Sequence, residues 1–287
     1  MDTSHFVWDF DPVLITLGRL QIRYYGVLFA AAIYIGYLVM KWQFKRGGLG
    51  EAKADSLFLY ETLGIVIGAR LGHVLFYEPG PFLRNPLEIL YIWKGGLASH
   101  GATIGIFLAT WLYVKRQKVP VVEVLDRLAM SVAIGSSCIR LGNFLNSEIV
   151  GRVSDSPIAI VFKRYDMEPR IPSQLVEVLI GIVVFLILYF VDRHYKESRP
   201  RGLIASLYLT LYFAMRFGVE FIKEFQVDFL VRHHSPFTMG QYLSIPFFLA
   251  GVIGLYFAIK KWYVPETPVA VAGESDKPYL RKKKRKK

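Results

Sequence analysis

The sequence predicts an all-α integral membrane protein with about seven transmembrane helices. Hydrophobic residues make up 53% of its 287 residues. Apolar stretches close to the ~20 residues that a helix needs to cross a bilayer recur along the chain. Basic residues cluster in alternate connections between these stretches, which is typical of a multi-pass protein. The expected spans are roughly 21–41, 57–77, 97–114, 123–145, 173–192, 203–222 and 240–261.

The first apolar stretch is expected to be a span rather than a cleaved signal peptide. Residues 1–12 contain three aspartates and no lysine or arginine, whereas a signal peptide begins with a positively charged region. No small-residue cleavage site follows a short apolar core.

The basic clusters follow spans one, three and five and the end of the chain, so all four lie on one side of a seven-span arrangement. That side is expected to be cytoplasmic, with the acidic N-terminus in the periplasm. The net charge of +12 is therefore attributed to orientation and to an anionic leaflet rather than to nucleic acid. The clusters are Lys41, Lys45, Arg46 and Lys53; Lys115, Arg116 and Lys118; Arg193, Lys196, Arg199 and Arg201; and residues 281–287.

The chain is expected to hold one membrane domain, residues 1–263, and a disordered basic cytoplasmic tail, residues 264–287. The largest external connection, 147–172, predicts a small periplasmic cap with a short strand at 158–162. No internal repeat is visible, which disfavours the transporter folds that are built from paired halves.

Span two carries Gly64, Gly68 and Gly72 at four-residue spacing, and this pattern favours close helix packing. Arg70 in the same span either turns towards polar residues or pairs with a neighbour. Cys138 is the only cysteine, so an internal disulfide is excluded, and we interpret it as a small packing residue.

The most informative segment is 139–151, where an arginine, two asparagines and a glutamate end an apolar span. An arginine at mid-membrane costs about 2.5–3.5 kcal/mol on insertion scales, so polar residues kept there are expected to be functional. Arg140, Asn143 and Asn146 step by three along one helix face, and Glu148 and Gly151 follow.

A second arginine occurs in span six. Tyr212, Arg216, Glu220 and Lys223 fall on one predicted helix face, although Arg216 and Glu220 could simply pair with each other. Two helices that each offer an inward arginine predict an anion site, because the planar guanidinium binds phosphate oxygens in a bidentate way.

Two further polar segments accompany these arginines. His100 stands within the glycine-rich segment 95–105, and it is predicted to act as a base or as a donor to a ligand. The alternative is a hydrogen-bonded structural histidine. The motif Arg23-Tyr24-Tyr25-Gly26 begins span one and by itself is typical of an aromatic interface belt.

The sequence contains no HExxH motif, no nucleophile elbow and no DxxD-type carboxylate cluster. We therefore expect no metal and no cofactor. The pattern favours a membrane-embedded site that binds a phosphorylated amphiphile by positioning and charge stabilisation.

These motifs resemble the bacterial prolipoprotein diacylglyceryl transferases. The segment 140–151 is similar to the family signature, and the other motifs follow in the family's order from about Leu17 to the end of span seven. The departures include Ala102 where glycine is common and Lys223 where arginine is usual. The supporting motifs are residues 23–26, 95–101, 171–175 with Glu177, 216–220 and 239–246.

The resemblance implies an enzyme of the bacterial inner membrane that performs a post-translational lipidation, the first step of lipoprotein maturation. It would transfer the diacylglyceryl group of phosphatidylglycerol to the lipobox cysteine in the signal peptide of a prolipoprotein, forming a thioether and releasing glycerol phosphate. Arg140 and Arg216 would grip the phosphate, and His100 would be a candidate base for the thiol. The other lipid-site residues would be Tyr25, Asn143, Asn146, Glu148, Gly151, Tyr212 and Glu220.

Two other functions fit some of the same residues. A transporter or channel for an anionic lipid or solute would also use buried arginines. Another phospholipid-processing enzyme, such as a phosphatidyl transferase, would commonly need a divalent metal held by acidic residues.

Overall fold

The computed structural model describes residues 5–18, 20–77, 80, 85–91, 96, 98–224 and 237–260. These residues form seven α-helices, two short 3₁₀ helices and five short strands. The tail predicted at 264–287 lies outside the described residues. The α-helices are α1 Tyr24–Arg46, α2 Glu51–Phe76, α3 Ser99–Gln117, α4 Val121–Leu145, α5 Ser173–Tyr195, α6 Leu203–Val219 and α7 Met239–Ile259.

The seven helices lie at the seven expected spans, and the helical membrane fold class is confirmed. Five of them are long and apolar enough to cross a bilayer, namely α1, α2, α4, α5 together with the 3₁₀ helix that follows it, and α7. The 17-residue helix α6 is apolar but shorter, and α3 does not belong to the five. The seven-span count and the orientation therefore stay predictions.

Two of the differences from the expected span boundaries have a clear structural cause. The first helix begins at Tyr24, because residues 20–23 are paired in a β-hairpin. The sixth ends at Val219, because the amides of Phe221 and Ile222 donate to carbonyls three residues earlier and form a tighter turn. The chain then turns away, and the amide of Arg152 donates to the carbonyl of Ile222 at 3.0 Å.

Helix α4 lies at the centre of the bundle, where it packs against α1, α5 and α6. Their contact buries small and branched side chains from three helices, including Ala133, Val184, Leu188 and Ile204. The polar end of α4 is thereby held beside the ends of α5 and α6.

The glycines of α2 take part in close helix packing, as expected from their spacing, and their partners are glycines of α3. A Cβ atom at Gly68 would lie 2.4 Å from the carbonyl oxygen of Gly101, and one at Gly64 would lie 2.6 Å from that of Gly105. Because the obstructing atoms are backbone atoms, the two helices can approach this closely only with glycine at these positions.

A buried ionic network ties the helices together at the end of the bundle away from Arg140. Arg46 donates to Asp192 at 2.8 Å, and Arg127, which is 1% exposed, lies 2.9 Å from Glu197. Arg199 pairs with Asp192 at 3.3 Å. Arg46 and Arg199, which the sequence places among the orientation signals, are therefore neutralised within the fold.

The N-terminal segment and the 147–172 connection form one small cap. The strand expected at 158–162 is present as β4, Ile160–Phe162. It lies between the parallel strand β1, Phe6–Trp8, and the antiparallel strand β5, Pro169–Arg170. A separate hairpin, β2 Val13–Leu17 and β3 Leu20–Arg23, leads directly into α1. The cap therefore joins the start of α1 to the connection between α4 and α5.

We expect Gly68→Ala to lower the thermal stability of the purified protein, because the added Cβ has no room against the Gly101 backbone. Overpacking of this kind typically costs about 1–3 kcal/mol. Gly36→Ala in α1 is the matched control, since a Cβ there would meet Ser131 at an ordinary 3.5 Å. Equal thermal midpoints for the two variants in detergent would contradict the packing interpretation.

Candidate active site

Two arginines from different helices contact one carboxylate at the cap end of the bundle. Arg140 lies near the end of α4, Arg216 near the end of α6, and Glu177 in the first turns of α5. The Nε atom of Arg140 is 3.3 Å from Oε2 of Glu177, and Nη1 of Arg216 is 3.4 Å from Oε1. The two arginines predicted to share an anion thus reach the same acidic group.

Glu220 forms the second acidic centre of the cluster. Its Oε1 atom lies 3.2 Å from Nζ of Lys223 and 3.7 Å from Nη2 of Arg216. The hydroxyl of Thr238, the N-cap residue of α7, donates to its Oε2 at 2.8 Å. A Cβ at Gly240 would lie 2.3 Å from the Glu220 carboxyl carbon, so glycine allows α7 to begin against this carboxylate. The positive end of the α7 dipole then stabilises the negative charge.

The asparagines of the 140–151 motif link Arg140 to Glu148. The Nη1 atom of Arg140 donates to Oδ1 of Asn143 at 3.4 Å, and the amide of Asn143 donates to Glu148 at 3.3 Å. Asn146 donates to the other carboxylate oxygen of Glu148 at 3.2 Å. Tyr25 packs against α4, since a Cβ at Gly142 would lie 2.8 Å from its ring. Three of the predicted residues, Asn143, Asn146 and Glu148, therefore form a single polar chain with Arg140.

The ionised groups of the cluster balance one another. Three cations, Arg140, Arg216 and Lys223, face three carboxylates from Glu148, Glu177 and Glu220. Pairing of this kind offsets the cost of burying charge. Yet the distances between Glu177 and the arginines, 3.3 and 3.4 Å, exceed the ~2.7–2.9 Å of strong charge-assisted hydrogen bonds. Glu177 therefore pairs with both arginines at distances longer than those of strong charge-assisted hydrogen bonds.

Gly151 is a point of close backbone approach. A Cβ there would lie 2.3 Å from the carbonyl oxygen of Ile171 and 2.8 Å from that of Ile222. The amide of Gly151 donates to the Ile171 carbonyl at 3.0 Å. Glycine is needed here because the connection, the start of α5 and the end of α6 meet at this residue.

Three of the predicted side chains, those of Tyr25, His100 and Tyr212, have no hydrogen bond or ion pair with the cluster among the described residues. His100 is exposed near the start of α3. Tyr212 lies one helical turn before Arg216 and stacks on Tyr208, with ring centroids 5.2 Å apart. Tyr212 therefore lies on the same helix as Arg216, and no described contact joins His100 to the cluster.

Arg70, whose role the sequence leaves open, binds backbone carbonyls. It donates to Glu88 at 2.6 Å, to Ile89 at 2.8 Å and to Gly96 at 3.1 Å. The amide of Ala98 also donates to the carbonyl of Ala69 at 2.9 Å. Arg70 thus anchors parts of the segment that leads to His100.

Glu177 is the main residue that motif reasoning did not select as a site residue. It is 7% exposed, and as a carboxylate within an apolar span it carried the same signal as Arg140. Lys223 also proves to belong to the cluster, since its Nζ atom lies 3.8 Å from Glu177. The sequence did not indicate Thr238 as a residue of the cluster, because a lone threonine at a helix start is usually only an N-cap.

Comparison with known proteins identifies the family. A model of the family described as prolipoprotein diacylglyceryl transferase matches residues 12–257. Three relatives carry the name phosphatidylglycerol–prolipoprotein diacylglyceryl transferase. The protein from Bacteroides fragilis is 41% identical over 266 residues, which cover 88% of this chain and 95% of the relative. The proteins from Tolumonas auensis and Chloroherpeton thalassium are 41% and 39% identical, covering 88% and 93% of this chain and 98% and 100% of theirs.

The match includes every residue of the arginine and carboxylate cluster, and the relatives are covered along nearly their whole length. The chain belongs to the prolipoprotein diacylglyceryl transferase family.

Proposed function

We propose that this protein transfers the diacylglyceryl group of phosphatidylglycerol to the cysteine thiol of bacterial prolipoproteins. Family membership and the names of the relatives support this activity. The observation that carries the assignment of the site is the convergence of Arg140 and Arg216 on Glu177. No comparable observation supports the alternative function as a transporter or channel for an anionic lipid or solute.

The reaction needs charge stabilisation on the leaving group. The thiol sulfur bonds to the glyceryl carbon that carries the phosphate oxygen, and the bond between that carbon and oxygen breaks. Glycerol phosphate leaves with the electron pair. Two guanidinium groups that bind the phosphate more tightly as this charge develops lower the barrier to transfer. The contacts with Glu177 support this role, because they show that both groups reach one anion.

Neutral and acidic neighbours complete the proposed lipid site. Asn143 and Asn146 offer amides for the ester and glycerol oxygens without adding charge. Glu148 accepts a hydrogen bond from each amide, and Tyr25 packs against Gly142, one residue before Asn143. Glu220 holds Arg216 and Lys223 in place, and Tyr212 extends the same helix face towards the apolar part of the lipid.

His100 is the proposed base for the substrate thiol. It is exposed near the start of α3, so an incoming signal peptide with a lipobox cysteine has access to it. The nucleophile comes from the substrate, and Cys138 of this chain has no part in the reaction.

The protein is proposed to lie in the bacterial inner membrane with a periplasmic N-terminus and a cytoplasmic C-terminus. Residues 1–263 are the proposed membrane domain, with 147–172 as its periplasmic cap. The exposed residues Lys45, Lys115 and Arg116 lie at the other end of the bundle and support this orientation.

We expect Arg140→Ala to reduce turnover by about 10²–10³-fold or more, the usual cost of removing a donor to developing negative charge. Arg140→Lys should be intermediate, because it keeps the charge but loses the planar fork. The assay follows labelled phosphatidylglycerol and a lipobox peptide in detergent.

Arg46→Ala is the matched control for the loss of an ion-paired arginine, at the opposite end of the bundle. It should lower the thermal midpoint and leave turnover per folded molecule unchanged. A folded Arg140→Ala protein with wild-type turnover would rule out the phosphate clamp.

His100→Ala should slow transfer most at low pH. A free thiol has a pKa near ~8.5, so the fraction of thiolate falls as the pH decreases and a base becomes more necessary. The pH profile of kcat/KM is the measurement. A mild effect that is independent of pH would indicate a structural histidine instead.

The orientation can be tested by labelling single cysteines in a Cys138→Ala background with a reagent that does not cross the membrane. A cysteine at Thr16, in the hairpin before α1, should react in intact spheroplasts. A cysteine at Lys45, at the other end of α1, should react only after lysis. The reverse pattern would overturn the proposed orientation.

A further inference from the structure

The loop from Asn146 to Gly151, here called the signature loop, contains two strained residues. Ser147 has a φ angle of 57° and Ile149 one of 56°. Left-handed conformations are unfavourable for residues with a Cβ and especially so for a β-branched one. Such a conformation persists only when surrounding contacts hold it.

Three side chains from one short segment supply those contacts. Gln174 donates its amide to the carbonyl of Glu148 at 2.7 Å, and Ser173 donates its hydroxyl to the carbonyl of Ile149 at 3.1 Å. Arg170 donates to the carbonyl of Gly151 at 3.2 Å. Consecutive parts of the strained loop are thus hydrogen-bonded to residues 170–174.

The three residues that donate to the loop are themselves buried. Ser173 and Gln174 are 0% exposed and Arg170 is 6% exposed. Hydrogen bonds from Arg170 hold the pKa of Asp166 below its usual range. This pair therefore stabilises the fold at every pH above the ordinary value, and the stabilisation is lost only as the pH falls through the lowered pKa.

The conformation of the loop sets the position of Glu148, which is linked by hydrogen bonds to Arg140. The Glu148 side chain accepts from Asn143 and Asn146, and Asn143 accepts from Arg140. If the loop relaxed to right-handed or extended backbone, the Glu148 carboxylate would move and the polar chain to Arg140 would break.

We propose that Gln174 and Ser173 are positioning residues, which hold the signature loop in its strained conformation and thereby place Glu148, Asn143 and Arg140 for transfer. The inference rests on the proposed role of Arg140 in the reaction. In this inference, Ser173 and Gln174 act by holding the backbone of the signature loop and do not contact substrate.

The test is Gln174→Leu, which keeps the approximate size of the side chain and removes the amide donor. We expect kcat to fall by about 10–100-fold with a smaller change in KM for phosphatidylglycerol, since a displacement near ~1 Å can cost about 10² in rate. Hydrogen exchange at the amides of Gly151 and Arg152, which donate to Ile171 and Ile222, should become faster.

Gln43→Leu is the matched control. Gln43 is also 0% exposed and donates its amide to a backbone carbonyl, that of Arg127 at 3.0 Å, but at the opposite end of the bundle. It should lower stability without slowing transfer by the folded protein. If Gln174→Leu does not fold, Ser173→Ala, which removes a single hydroxyl, replaces it, with a loss in kcat of roughly 3–10-fold expected from one hydrogen bond.

A suppressor distinguishes positioning from general destabilisation. Ile149→Gly removes the cost of the left-handed backbone. Gln174→Leu should therefore lower kcat less in the Ile149→Gly background than it does in the wild-type protein. A loss no greater than in Gln43→Leu, or one that the glycine does not reverse, would overturn the proposal. If Arg140→Ala were fully active, the clamp itself would fail, so the two failures are distinguishable.

Discussion

The candidate site depends on the electrostatic balance around Glu177. Arg140 and Arg216 come from helices that are far apart in the sequence, and each would be costly to bury in a bilayer alone. Their shared contact with one buried carboxylate lowers that cost and holds the ends of α4, α5 and α6 together. The same two arginines are the ones proposed to bind the phosphate of the lipid.

The surroundings of this carboxylate explain several features that otherwise look unrelated. Gly151 allows three backbone segments to meet beside the cluster, and Gly240 allows α7 to begin against Glu220. The left-handed backbone at Ser147 and Ile149 is held by the start of α5, which also carries Glu177. The α5 start therefore serves both the charge balance and the shape of the signature loop.

Most helices and the polar residues at their ends could be predicted, because spans of apolar residues and the cost of charge within them are local properties of a sequence. Close helix packing at Gly64 and Gly68 also followed from a local spacing, although their partners Gly101 and Gly105 did not. The predicted end of α6 was wrong, because the turn at 220–222 is stabilised by a hydrogen bond with the distant residue Arg152. His100 stays a predicted base, since no described contact joins it to the arginines.

By itself, the sequence determined the class of protein, the family motifs and the residue types of an anion site, since each depends on composition or short spacing. Only the tertiary structure decided that Arg140 and Arg216 share Glu177, that Lys223 belongs to the cluster, and that Arg46 and Arg199 are paired internally. The reason is physical. A buried charge costs energy in any fold, so a charged residue within an apolar segment can be recognised from the sequence of that segment. Which residue it pairs with depends on how the helices pack.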